Sequence, residues 1–233
     1  MILGLLQNDL QMGVILIITL VFSLSFHEFA HAYMAYKLGD NTSAYQGRLT
    51  LNPLAHLDPI GSLMLLFVGF GYAKPVPVNP VNLSKPRTDM MKIAFAGPAS
   101  NLILCFFTCI ILRLLGSNIF EYIGYTAQLN SLGLMLYIFA IINMTLAVFN
   151  LIPIHPLDGG QIFGGYLDRI NPEISYKLRT EGPKILFAII IIGYITGFSI
   201  IGIIISPFHG FVAILAGLSW CRTEINHLEK NLV

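Results

Sequence analysis

Charge is scarce in this sequence. Lys, Arg, Asp and Glu make up 11% of its 233 residues, where a soluble domain carries about a quarter. Thirteen basic and twelve acidic side chains leave a net charge of +1. That balance offers neither a polycationic nor a polyanionic face, so nucleic acid is not an expected partner. Cysteine is scarce as well: three residues supply no CxxC pair and no disulfide framework. Cys105 and Cys109 share a helical face in an apolar run and read as packing residues, metal binding being the lesser alternative. Met1 to Leu6 has no basic stretch, and the apolar segment behind it runs straight on, so no cleavable leader is expected. Repeats, low-complexity tracts and a soluble second domain are also missing.

Apolar residues fill the space. They account for 55% of the chain, with a mean hydropathy of +0.74. A first helix is predicted from Leu10 to Leu38, free of proline and uncharged from Leu10 to Phe26. Leu10 to His27 would cover roughly 25 Å, most of a ~30 Å hydrocarbon core. Gly39-Asp40-Asn41 ends that helix, and the polar run to Asn52 reads as a short hairpin. Pro59 to Tyr72 is too short for a span and reads as a re-entrant or interfacial piece. Lys74 to Pro80 holds three prolines and cannot be helical throughout. Further spans are predicted at Ile93–Leu115, Leu132–Ile154 and Ile185–Ile205, with a half-span at Phe208–Leu218. Gly193 and Gly197, four apart, suit close helix packing. The expected fold is an all-α integral membrane bundle of about four to six transmembrane helices with a re-entrant or short hairpin segment after the first. It is read as one membrane-embedded domain over 1–233, its core about 10–206, with 207–233 a partial span and polar tail.

Against that background His27-Glu28-Phe29-Ala30-His31 stands out. An ionisable side chain at membrane depth costs roughly 2.5–3.5 kcal/mol even on lenient scales. Residues four apart share a helical face, so both imidazoles can reach one ion. Glu28 can then act on water held by that ion. The pattern is half of a zinc-hydrolase site, near one membrane face.

Such a site takes three protein ligands. Basic residues in 37–92 and 169–184, against none in 116–131, orient the spans with the first two segments cytoplasmic. The first helix and the Leu132–Ile154 span then end on the same side. Asp158 follows that second end, past Pro153 and Pro156, and is the preferred third ligand over its alternative as an Asp-Gly turn. His155 competes, but its flanking prolines restrict it. Asn150 either bridges helices or hydrogen-bonds a substrate backbone or developing oxyanion, and its chemistry alone leaves both open. Asn143 reads as structural. His56 is open between a supporting partner, a gate and a loop histidine, while His209 and His227 are unremarkable.

Taken together, several motifs carry a resemblance: His27-Glu28-x-x-His31, Asn52-Pro53-x-x-His56-Leu57-Asp58-Pro59, Ala73-Lys74-Pro75-Val76-Pro77-Val78-Asn79, Ala96-Gly97-Pro98-Ala99-x-Asn101 and Asn150-x-x-Pro153-x-x-Pro156-Leu157-Asp158-Gly159-Gly160. In this order, over residues 20 to 170, they resemble the site-2 protease family of intramembrane zinc metalloproteases, in a compact form without PDZ or CBS domains. The resemblance implies one zinc ion per chain on His27, His31 and Asp158, Glu28 as the catalytic glutamate and Asn150 orienting substrate. It further implies transmembrane protein substrates, cut within the bilayer of a prokaryotic cell membrane near its cytoplasmic face.

A polar water passage bordered by Pro75–Pro80 or by Pro59–Tyr72 is expected. The substrate helix must also unwind locally, because its carbonyls are locked in the i→i−4 ladder. Three other readings share the motif: a metal transporter, which leaves Glu28 without a task; a bis-His haem protein, which wants histidines on opposed helices; and an inactive binder of transmembrane clients.

Overall fold

The computed structural model describes residues 7–68, 71–123 and 126–218. The segments Met1–Leu6 and 219–233, with Cys221 and His227, lie outside them.

Helix α1 spans Leu10–Lys37, opened by Asp9, whose carboxylate accepts the Met12 N–H at 2.9 Å. Its buried stripe runs Leu16, Thr19, Ser23, His27, His31 and Ala35, while Leu10, Val14, Ile18 and Phe22 are exposed. Polar groups inside and apolar groups outside invert the pattern of a soluble helix, as expected where the surroundings are lipid. The expected Leu10–Leu38 helix is thus met, with Leu38 as its cap.

The run after α1 is not a hairpin. It forms a short helix α2 (Thr42–Tyr45) and a 3-10 turn at Pro53–Ala55, because side-chain oxygens of Asp40 and Asn52 take up backbone N–H groups at each start. Helix α3 (Pro59–Val68) follows; its ten residues rise about 15 Å, half a hydrocarbon core. The proline-rich segment that follows is extended, then turns at Pro80–Asn82.

Asp40 anchors this region. It is fully buried, and its carboxylate accepts from the Thr42 hydroxyl (2.6 Å), the Asn82 amide (2.7 Å) and the Asn79 backbone N–H (2.8 Å). The end of α1 is thereby tied to the proline-rich segment. Burial alone would raise the Asp40 pKa, but these hydrogen bonds outweigh it and hold the group below its ordinary value. A depressed folded-state pKa stabilises fully above the unfolded value of roughly 4 and is lost as pH falls through the folded one. Asp40→Ala should cost about 2 kcal/mol at pH 7, since it removes a charged acceptor shared by hydrogen bonds from half-buried Thr42 and from exposed Asn79 and Asn82. Thermal unfolding followed from pH 7 down to 3 should show wild type and variant converging at the acid end.

Helix α4 covers Pro86–Leu115, beginning seven residues before the predicted Ile93 because Pro86 at its first position and Asp89, which accepts the Lys85 N–H at 2.9 Å, start it early. A two-stranded antiparallel hairpin, β1 (Phe120–Ile123) with β2 (Thr126–Leu129), pairs Phe120 with Leu129 and was not expected. Helix α5 is Ser131–Leu151, three residues shorter than predicted at its end. Helices α6 (Asp158–Ile170), α7 (Pro172–Thr196) and α8 (Ile200–Leu215) complete the described chain.

The predicted Ile185–Ile205 span is corrected here: α7 and α8 meet at 84°. Gly197 takes φ +71°, a left-handed conformation, and the Ser199 hydroxyl caps α8 by accepting the Gly202 N–H at 2.9 Å. Gly197 therefore ends a helix instead of packing two, and Phe208 lies inside α8, not at the start of a separate half-span. Among the described residues α1, α4 and α5 are long and apolar enough to cross a membrane, and the bent pair makes four if it is one span.

Contacts divide the chain into two units. One comprises Met1–Asn101 and Asn150–Leu186. The other comprises Leu102–Phe149 and Phe187–Val233, with a core of Cys105, Cys109, Leu112, Tyr137, Ile141 and Val212. Both cysteines are thus packing residues. In that second unit His209 shares a 2.9 Å hydrogen bond with Thr145, and the Asn143 amide donates to the Phe139 carbonyl at 2.8 Å, both structural uses.

Candidate metal centre

The i, i+4 spacing on α1 sets His27 and His31 on its buried face, rings at 84° and 4.7 Å apart. Asp158 is the first residue of α6, reached after Pro153 and Pro156 have broken the chain from α5. The return is tight. A Cβ on Gly159 would lie 2.3 Å from the Leu151 carbonyl oxygen, and one on Gly160 2.5 Å from the His155 nitrogen, so only glycine permits this approach. Asp158 Oδ2 ends 3.1 Å from His27 Nε2 and 3.4 Å from His31 Nε2.

Around these three groups the hydrogen bonding is decisive. His27 Nδ1 is 2.5 Å from Asn101 Oδ1, and His31 Nδ1 is 2.7 Å from the Ile93 carbonyl oxygen. Asn101 Nδ2 donates to the Ser23 carbonyl at 3.4 Å, which sets the orientation of its amide. A neutral imidazole has one N–H. Both rings donate it from Nδ1, so both Nε2 lone pairs face a carboxylate oxygen, an arrangement that suits a shared cation. Tetrahedral ligands at zinc distances stand about 3.3 Å apart, matching the observed spacings. The space is kept by Gly97: a Cβ there would sit 2.4 Å from His31 Nε2 and 2.5 Å from His27 Nε2. The residues fit a metal ion.

Glu28, beside His27, is half-buried, and Asn150 is half-buried in the last turn of α5. His155 is not in the cluster; its Nε2 is buried 3.2 Å from where a Gly164 Cβ would stand. His56 is buried, shares a 2.7 Å hydrogen bond with the Thr50 carbonyl, and its own carbonyl accepts the Lys74 N–H at 2.8 Å, a brace for the loop.

Arg48, counted in the sequence only as a basic residue, is buried and donates to the Lys74 carbonyl. Burial lowers its pKa and the Glu28 charge opposes the shift. Among the described residues, His27, His31 and Asp158 form the one group of three such side chains that could hold a metal ion.

Residues 15–193 match the profile of peptidase family M50. The chain belongs to peptidase family M50, the site-2 protease family. It is 41% identical over 181 residues to YwhC of Bacillus subtilis, provisionally named a zinc metalloprotease, covering 78% of this chain and 80% of that one. It is 29% identical over 161 residues to Rip2 of Mycolicibacterium smegmatis, provisionally named likewise, covering 67% and 57%. A zinc metalloprotease of Methanocaldococcus jannaschii is 27% identical over 208 residues, covering 89% and 50%. The chain thus spans a little over half, or half, the length of the last two relatives. No solved structure matches it. With its long apolar helices, this M50 chain is a multi-pass membrane protein.

Two supports of the site in this M50 chain escaped the reading of the sequence. Asn101 was quoted only within a motif, and Gly97 only as its neighbour. A glycine four residues before an asparagine on one helical face was the available signal. Asn101→Leu removes the acceptor that holds the His27 ring, and loss of such an outer partner costs roughly 10–100-fold in metal affinity. Zinc titration against a competing chelator should show that loss, while Asn101→Asp, which keeps an oxygen in place, should retain most of the affinity.

Proposed function

We propose that this protein is an intramembrane zinc metalloprotease, hydrolysing peptide bonds within or near transmembrane segments of membrane-protein substrates. His27, His31 and Asp158 hold the ion and Glu28 moves protons. The reading rests above all on the two Nε2 lone pairs and one carboxylate oxygen turned on a single point, with a glutamate beside the first histidine. The zinc metalloprotease names of the relatives support it.

Bound zinc would lower the pKa of its water to about 7 and polarise the scissile carbonyl. Glu28 accepts the water proton and returns one to the leaving amine. Asn101 and the Ile93 carbonyl keep each imidazole in the tautomer that turns Nε2 inward. Asn150, half-buried in the last turn before the break, hydrogen-bonds the unwound substrate backbone. The basic segments 37–92 and 169–184 support a cytoplasmic position for this end, in what we take to be a prokaryotic cell membrane. The test is to purify the full chain with and without Glu28→Gln, measure zinc per chain, and incubate each with a single-span substrate before and after chelation.

A further inference from the structure

A cavity of about 390 Å³ lies in the same unit as the metal centre, in the lower range of ligand sites, roughly 300–1,000 Å³. Its lining comes from stretches of α4, α6 and the end of α5 that also carry residues of that centre or of its surroundings. Leu151 and Pro153 follow Asn150 on the α5 side. Met91 stands on α4 two positions before Ile93, whose carbonyl takes the His31 N–H. Gly159 adjoins Asp158 on α6, and Ile162, Phe163 and Tyr166 continue from it at helical spacing, forming one face. The lining is almost wholly apolar, and Phe163 and Tyr166 at 43% and 57% exposed stand open to an incoming chain.

Building on the metalloprotease reading, we propose that this cavity is the subsite for a large aliphatic or aromatic side chain of the substrate, flanking the scissile bond. Its position follows from the break between α5 and α6, which supplies Asn150, two residues of the cavity wall (Leu151 and Pro153) and Asp158 within nine residues. A strand drawn along Asn150 toward the ion lays a neighbouring side chain against Leu151, Gly159 and Ile162. Gly159 lets α6 close on α5, since a Cβ there would stand 2.3 Å from the Leu151 carbonyl oxygen.

The experiment avoids the need for a known substrate. Zinc-loaded full chain in detergent is titrated calorimetrically with succinyl hydroxamates whose side chain beside the chelating group is methyl, isobutyl or benzyl. The isobutyl and benzyl compounds should bind at least tenfold tighter than methyl, given the roughly 10–200-fold a methylene commands in a hydrophobic pocket. Ile162→Trp should bring that ratio toward one. Phe163→Ala, at the open rim, should favour benzyl over isobutyl.

Equal binding of all three compounds to wild type, or a ratio untouched by both substitutions, overturns the subsite. So does a side-chain preference that persists after zinc is removed, because it then reports micelle partition. If no hydroxamate binds the zinc-loaded protein, the metalloprotease reading itself falls, and the subsite with it.

Discussion

Glu28→Gln should lower hydrolysis of a single-span substrate about 10²–10⁴-fold, the usual contribution of a positioned acid or base, with zinc content unchanged. The amide matches the carboxylate in size and cannot accept the proton. Glu28 is absent from the cluster of His27, His31 and Asp158, so the ion has no need of it. Metal content by atomic absorption and substrate cleavage on one preparation give both quantities. A Glu28→Gln protein that cuts at the wild-type rate ends the protease proposal. Wild-type metal flux in vesicles without any cleavage turns the same three ligands into a transit site.

Removing Asp158 should have the opposite signature, with metal and activity lost together. Its Oδ2 is the only anionic atom among the three that converge, so Asp158→Ala leaves two imidazoles facing one another across the space that Gly97 keeps open. The expected fall in zinc affinity exceeds the roughly 10–100-fold cost of an outer partner, since a catalytic site holds its ion through three protein ligands. Asp158→Asn keeps the volume and the start of α6 but not the charge, and should lose most of the metal while retaining the wild-type elution volume. Zinc retained at full stoichiometry in both variants would remove Asp158 from the ligand set. A haem held between histidines is disfavoured by the geometry already seen, because His27 and His31 sit on one helix with rings 4.7 Å apart.

Local pattern was a good guide wherever one residue's neighbours along the chain decide its state. The proline-free apolar run from Leu10 forecast α1 to within one residue, whereas the span expected to reach Ile154 stops at Leu151, ahead of Pro153. It failed where short-range polar contacts compete. The run behind Asp40 became a helical turn instead of a hairpin because a buried carboxylate gathers N–H and O–H groups from 40–42 and from Asn79 and Asn82. The Ile185–Ile205 run, uniformly apolar, offered no sign of the 84° bend beyond Gly197 and Ser199. Hydropathy measures what a segment can dissolve in, and it carries no direction.

By itself the sequence determined that two imidazoles share one face of an apolar helix, that a carboxylate follows a proline break, and that charge is too sparse for a soluble surface. Those facts depend on helix pitch and composition. Only the tertiary structure decided which nitrogen of each ring faces the carboxylate, because the groups that claim the Nδ1 protons are Asn101, 74 positions from His27, and the carbonyl of Ile93, 62 positions from His31. It likewise decided that Gly97, across from both rings, holds open the space an ion needs. Hydrogen bonds and contacts between distant segments form only when the chain is packed, so no periodicity along it can encode them.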